Sequence, residues 1–357
     1  MSATRRRVLL LAHPGRPEAL EVAIGVADRL TEAGIEVRLP AGELADTTLG
    51  RHPVVVVHDG DDPAADVELV VVLGGDGTIL RGAETARSAN VPVLGVNLGH
   101  VGFLAEAERE DVEATVDHIV ERAYDVEERM ALDVVATLDG REIARSWALN
   151  EVTVEKASRE RMLVLTVEID GRPLSTWGCD GVVMATPTGS TAYAFSAGGP
   201  VVWPGVEAML VVPISAHALF ARPLVVAPTS DLAVDLVPGT EGYGVLWCDG
   251  RRAVDLPPGA RIEVSRSAQP VRLARLSRSP FTDRLVAKFD LAIGFRETSD
   301  GGLAGSIFAR RSASRGAVSP RSMSCNSSPQ IWMMPVISGT GGRGQNCNSS
   351  RHDMAST

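Results

Sequence analysis

Lysine is almost missing from this chain: of 357 residues only Lys156 and Lys288 are lysine, against 33 arginines. A G-x-x-x-x-G-K-[ST] phosphate loop needs a lysine after glycine, and neither Lys156 nor Lys288 stands there, so P-loop chemistry is excluded. Cysteine is scarce as well. Cys179, Cys248, Cys325 and Cys347 show no metal or redox spacing, which supports neither a disulfide framework nor a zinc site. No apolar run is long enough to cross a bilayer, and residues 8–11, after Arg5, Arg6 and Arg7, are too short for a signal segment. A cytoplasmic protein without a membrane partner is expected. A net charge of −10 argues against a nucleic-acid partner. Absent too is a G-x-G-x-x-G turn after the first strand, where His13-Pro14-Gly15-Arg16-Pro17 stands, and this removes a dinucleotide-dependent dehydrogenase.

What is present alternates regularly. Short apolar runs at 7–12, 35–39, 54–57, 67–73 and 91–96 are separated by helical patterns at 17–33 and 79–89. Runs that are apolar almost throughout indicate a Rossmann-like parallel sheet covered by helices, an α/β domain over residues 1–124. From residue 125 to 279 the texture turns mainly β. Runs at 132–138, 152–155, 163–169, 182–185, 232–236 and 261–264 are punctuated by Asp139-Gly140, Asp170-Gly171, Pro238-Gly239, Asp249-Gly250 and Pro258-Gly259. A short amphipathic segment within 280–295 is expected to pack back on the first domain. Residues 296–357, rich in Ser, Gly, Arg and Asn without a sustained period, read as a disordered tail.

Two Gly-rich turns carry the chemistry. Gly74-Gly75-Asp76-Gly77-Thr78 follows an apolar strand and opens a helix, where free N–H groups favour phosphate. Asp76 is a turn-closing Asp, a metal-orienting Asp or a base toward a hydroxyl. Gly75 and Gly77 keep side chains away from a ligand, and Thr78 is placed to cap the helix. The second turn, Thr186-Pro187-Thr188-Gly189-Ser190-Thr191-Ala192-Tyr193, concentrates hydroxyls beyond what an ordinary turn requires.

These turns stand in one order with Asn97-Leu98-Gly99-His100-Val101-Gly102-Phe103-Leu104, Asn150-Glu151, Gly178-Cys179-Asp180-Gly181 and Gly198-Gly199-Pro200. The ordered set, over residues 7–295, resembles the NAD kinase family of the GGDGT kinase superfamily. The resemblance implies an ATP-dependent phosphotransferase that phosphorylates the 2′-hydroxyl of the adenosine ribose of NAD to give NADP, with Asp76 as general base. It implies that Gly75, Asp76, Gly77, Arg81, Asn150, Glu151, Arg161, Asp180, Thr191, Ala192, Tyr193, Ala194, Phe195 and Ser196 contact substrate. For Arg81 a solvated helix face stays open beside this role, and for Asp180 a structural turn. Mg²⁺ is expected to arrive with ATP rather than in a protein cage. The family also implies a homo-oligomer.

Two other functions compete. A lipid kinase of the GGDGT type would need an apolar channel and a membrane-facing surface, in place of Asn150-Glu151 and the second turn. A non-catalytic NAD(P) sensor would have no need of Asp76.

Overall fold

The computed structural model describes residues 5–42, 44–99, 102–158, 161–239, 242–276 and 280–291. His100 and Val101 of the third motif and the tail from residue 296 lie outside the described residues.

The expected alternation produces an eight-stranded sheet. Its order is Val55–His58, Glu36–Pro40, Arg7–Ala12, Leu69–Leu73, Val93–Asn97, Val271–Arg275 and Asp125–Arg129, with Ala107–Glu108 beside Val93–Asn97. All neighbours run parallel except Asp125–Arg129, which is antiparallel to Val271–Arg275. Leu69–Leu73 and Val93–Asn97 are buried at every position, as strands covered on both faces must be. Helix α1, Pro17–Glu32, starts with a proline whose missing N–H costs nothing there, and buries Ala19, Ala23, Val26, Ala27 and Leu30 along one stripe. Helix α2, Asp76–Arg87, turns Ile79, Leu80, Ala83 and Ala86 inward, and α3, Val112–Glu121, packs beside α1. The chain order reverses between Arg7–Ala12 and Leu69–Leu73. Loops leaving the carboxyl ends of those two strands therefore flank a crevice, the usual ligand position in open α/β sheets.

The second half, read as mainly β, pairs its strands antiparallel. One six-stranded sheet runs Leu224–Val226, Met209–Ile214, Gly181–Ala185, Glu151–Lys156, Gly244–Cys248, Arg252–Leu256. The other runs Arg172–Cys179, Leu163–Ile169, Leu232–Leu236, Arg261–Arg266, Leu132–Leu138, Arg141–Ala148. Their inner faces share one core, with Val134, Val154, Leu165, Val182, Val234, Leu246 and the fully buried Trp177. Asp139-Gly140, Asp170-Gly171 and Asp249-Gly250 each hold two consecutive positive φ angles, the conformation that a two-residue hairpin turn needs. The remaining α-helices among the described residues are the one-turn α4, Tyr193–Ser196, and α5, Phe281–Phe289.

Candidate functional site

The loop after Arg7–Ala12 carries His13 and Arg16, and the loop after Leu69–Leu73 carries Gly74 to Thr78. They meet at the reversal of strand order and form a cavity of about 500 Å³ lined by His13, Pro14, Arg16, Gly75, Gly77, Thr78, Arg81 and Arg251. A Cβ on Gly75 or Gly77 would meet no protein atom, so packing does not demand glycine at either position. What a side chain there would enter is the cavity. Three guanidinium groups and the N-terminus of α2 surround it, and both features favour an anion. Arg81 faces the cavity from one turn into α2. His13, Arg16 and Arg251 were not singled out by their types alone; only the strand order and a hairpin from the other half bring them here.

Asp76 occupies the first turn of α2 and does not cap it. Its carboxylate instead accepts the Phe103 N–H at 3.1 Å on Oδ2 and the Leu104 N–H at 3.1 Å on Oδ1. Gly102 makes this possible, because a Cβ there would collide with Asp76 Oδ1. The two motifs of the first half thus form one unit, in which backbone donors fix the Asp76 carboxylate between Gly75 and Gly77, which line the cavity. Thr78 folds back on Gly74, whose Cβ position lies 2.6 Å from Thr78 Oγ1.

Asn150 and Glu151 begin an inner strand of the second half and are both buried. Asp249, in the Asp-Gly turn between Gly244–Cys248 and Arg252–Leu256, accepts the N–H groups of Leu149 (3.0 Å), Asn150 (2.7 Å) and Glu151 (3.3 Å). Arg252 donates to the same carboxylate at 3.0 Å and to the Trp147 carbonyl at 2.6 Å. The hairpin also grips α2, because Arg252 and Arg251 both pair with Glu84. Asp249 had been legible only as a turn residue, whereas in the fold it anchors Asn150-Glu151 and, through its hairpin, ties that dipeptide to the helix of Asp76.

Glu151 is 6 % exposed and its Oε2 has no hydrogen-bond partner. Burial, reinforced by the negative charge of Asp249, pushes its carboxyl up to about 8, with the Tyr193 N–H opposing. At neutral pH it is a protonated acid, able to donate one hydrogen bond and accept others. Asp249 is raised by its own burial, against the pull of the Leu149 and Asn150 N–H groups and Arg252.

The Thr186 turn is built differently from what its hydroxyls suggested. Thr186 Oγ1 donates to the Leu149 carbonyl at 2.6 Å and Ser190 Oγ to the Pro187 carbonyl at 2.7 Å, while Thr191 Oγ1 bonds the Thr188 carbonyl at 3.3 Å. These hydroxyls hold the turn itself. Gly189 lies against the Asn150 backbone, where a Cβ would overlap the carbonyl. Ala194 is fully buried on Val183, Ala185, Leu210 and Val212, so its side chain serves packing. Ala192 is half-buried, and Tyr193, Phe195 and Ser196 are exposed beside it. Tyr193 Oη reaches Glu155 Oε2 at 3.4 Å; burial and that carboxylate push the phenol up to about 12. Asp180 pairs with Lys156 at 2.5 Å where the two inner strands Glu151–Lys156 and Gly181–Ala185 meet. Arg161 is exposed just before Leu163–Ile169.

Helix α5 crosses between the halves. Phe281 and Phe289 each lie 5.9 Å from the Phe103 ring, Phe289 lies 4.7 Å from Phe195, and Phe281 lies 5.1 Å from Trp203. Asp76, Phe103, Phe195, Tyr193 and Glu151 therefore belong to one inter-domain region. Among the described residues no three His, Cys, Asp or Glu side chains are grouped to hold a metal ion.

Known proteins are similar to this chain. The family described as "ATP-NAD kinase N-terminal domain" matches residues 8–124, and "ATP-NAD kinase C-terminal domain" matches residues 149–276. The chain is 63 % identical over 297 residues to an NAD kinase of Thermobifida fusca, covering 81 % of this chain and 91 % of that protein. It is 59 % identical to NAD kinase 2 of Streptomyces avermitilis, covering 82 % and 97 %. Among solved structures it is similar to yeast NADH kinase complexed with NADH, with a TM-score of 0.74 at 25 % identity, covering 83 % of this chain and 91 % of that one. An NAD kinase from Archaeoglobus fulgidus in complex with ATP has a TM-score of 0.60 at 26 % identity, covering 80 % and 98 %. A carboxylate aimed by the loop at 102–104, an arginine-lined cavity at the strand reversal and a buried Asn-Glu pair lie inside those matched segments, and the chain belongs to the NAD kinase family.

Proposed function

We propose that this chain transfers the γ-phosphoryl group of ATP to the 2′-hydroxyl of the adenosine ribose of NAD, giving NADP and ADP. The observation that carries the reading is the Asp76 carboxylate, held by two backbone N–H groups beside the arginine-lined cavity. In-line transfer asks for positioned phosphates, neutralised charge and an acceptor for the hydroxyl proton. Arg16, Arg81, Arg251 and the start of α2 meet the first two needs, and Asp76 the third. As the bond from the ribose oxygen to the γ-phosphorus forms, the bond to the β,γ-bridging oxygen breaks; the proton passes to Asp76 and ADP carries away the leaving electron pair.

Glu151, protonated and with a buried oxygen lacking a partner, is suited to hydrogen-bond a ribose hydroxyl. Gly75, Gly77, Asn150, Ala192, Tyr193 and Phe195 complete the proposed contacts, with Arg161, Asp180, Thr191, Ala194 and Ser196 at their margin. A cavity lined by arginines rather than carboxylates fits a Mg²⁺ carried in by ATP, which would add charge neutralisation at the phosphates. The proposal extends to a homo-oligomer in the cytoplasm. Supporting it, Met162 and Tyr243 are large, apolar and exposed, and no helix among the described residues is long and apolar enough to cross a membrane.

Incubation of the purified chain with ATP, Mg²⁺ and NAD is expected to give NADP, and Asp76→Asn to lower kcat about 10³-fold while NAD still binds. NAD binding without NADP formation by the unaltered chain would overturn the reading in favour of a sensor.

A further inference from the structure

The aim of the Asp76 carboxylate depends on where residues 102–104 sit, and this stretch belongs to neither a helix nor a strand. Its position comes from the far end of the chain. The Phe103 carbonyl accepts Arg284 Nη1 at 3.1 Å, and Arg284 Nη2 donates to Glu106 Oε2 at 2.7 Å. Arg275 Nη1 holds the same Glu106 oxygen at 2.7 Å, and the Glu106 side chain is 1 % exposed, so the anchor is buried and doubly paired. The Phe281 and Phe289 rings flank Phe103 from the same helix.

The Phe103 carbonyl and the Leu104 N–H belong to one peptide group. A guanidinium on the carbonyl polarises that group and strengthens the N–H at its other end, which is the donor to Asp76 Oδ1. We propose that Arg284 is a positioning residue for phosphoryl transfer: by bridging the Phe103 carbonyl and Glu106, it fixes and polarises the backbone that aims Asp76. The inference rests on the reading of Asp76 as the base. Arg284 lies beyond both matched family segments, 8–124 and 149–276.

The test compares kcat, the KM values for ATP and NAD, and calorimetric NAD affinity in the full chain carrying Arg284→Gln or Arg284→Lys, each alone and with Asp76→Asn. Arg284→Gln is expected to lower kcat by about 10- to 100-fold, because small misplacements of a reacting group cost that much, with both KM values and NAD affinity within about twofold. Arg284→Lys, whose single ammonium cannot span both acceptors, is expected to lose about tenfold. In the Asp76→Asn chain, Arg284→Gln is expected to change the residual rate by less than about twofold, whereas a merely structural role would lower it by the same factor as in the wild type. An unimpaired kcat in either Arg284 variant overturns the inference, as does an equal loss in the Asp76→Asn background. If Arg284→Gln melts early, the folded Lys variant decides. Should Asp76→Asn itself keep the wild-type rate, it is the base assignment that falls, and an impaired Arg284→Gln would then report a different role.

Discussion

The two Gly-rich turns look alike in sequence and do opposite work in the fold. Around Asp76, Gly75 and Gly77 face open space and the polar group is held from outside, by N–H groups of another loop. Around Gly189 the glycine is pressed on the Asn150 backbone and the hydroxyls are satisfied within the turn or by the adjoining Leu149 carbonyl. The first turn leaves room for a ligand. The second is a scaffold that, together with Asp249, presents Asn150 and Glu151. A glycine therefore signals a ligand only where removing its side chain opens space that no protein atom fills.

The sharpest way to break this contrast is Gly189→Ala. A Cβ in collision with a backbone carbonyl cannot be relieved by a rotamer change, so a stability loss of about 3 kcal/mol or more is expected by denaturant unfolding. A loss below about 1 kcal/mol would show that the second turn is not packed as described. Gly102→Ala displaces a side chain rather than backbone, since its Cβ meets the Asp76 carboxylate. Unfolding free energy is expected to hold within about 1 kcal/mol while kcat drops about 100-fold, and unchanged kcat would mean that the aim of Asp76 does not matter.

A smaller effect belongs to Glu151. Its carboxyl rises from 4.5 to about 8 in the fold, so between those pH values the folded chain keeps a proton that the unfolded chain has released. Stability contributed here is highest below about pH 4.5, falls as pH rises to about 8, and is level beyond. Glu151→Gln removes this titration, and the variant is expected to gain on the order of 2 kcal/mol over the wild type across that window. Asp249, raised as well, leaves some slope in place. Parallel melting curves at pH 5 and pH 8 would contradict the buried, protonated state. Smallest is Gly77→Ala: stability is expected to be unchanged or better by up to about 1 kcal/mol, since alanine suits a helix. The KM for ATP is expected to rise severalfold as the methyl enters the cavity. A stability loss instead would place Gly77 with Gly189, as a packing glycine.

Much of the fold was legible because the signals are local. Residues 7–12 and 67–73 read as buried strands and hold the strands Arg7–Ala12 and Leu69–Leu73, and the Asp-Gly pairs read as turns and hold paired positive φ angles. Less legible were Asp125–Arg129 and Val271–Arg275, which join the first sheet although 141 residues lie between Arg129 and Val271 by the numbering. Asp125–Arg129 carries four charged residues in five, so its apolar pattern is too weak to mark a strand. In the site, Asp76, Asn150 and Glu151 stood out by motif, while Arg16, Arg251 and Asp249 did not, because an arginine or a turn aspartate has no distinctive neighbours along the chain.

By itself the sequence determined the parallel α/β half, the mainly β half, the two turns and, through their order, the family. Those properties follow from side-chain periodicity and backbone permissiveness, which act over a few residues. Only the tertiary structure decided that Asp249 anchors Asn150 and Glu151, that Arg251 reaches the cavity beside Gly75, that Arg284 grips the loop holding Asp76, and that Glu151 keeps its proton near neutral pH. Each depends on distances of a few ångströms between groups far apart in the chain, and on the exclusion of water around them, which no local pattern encodes.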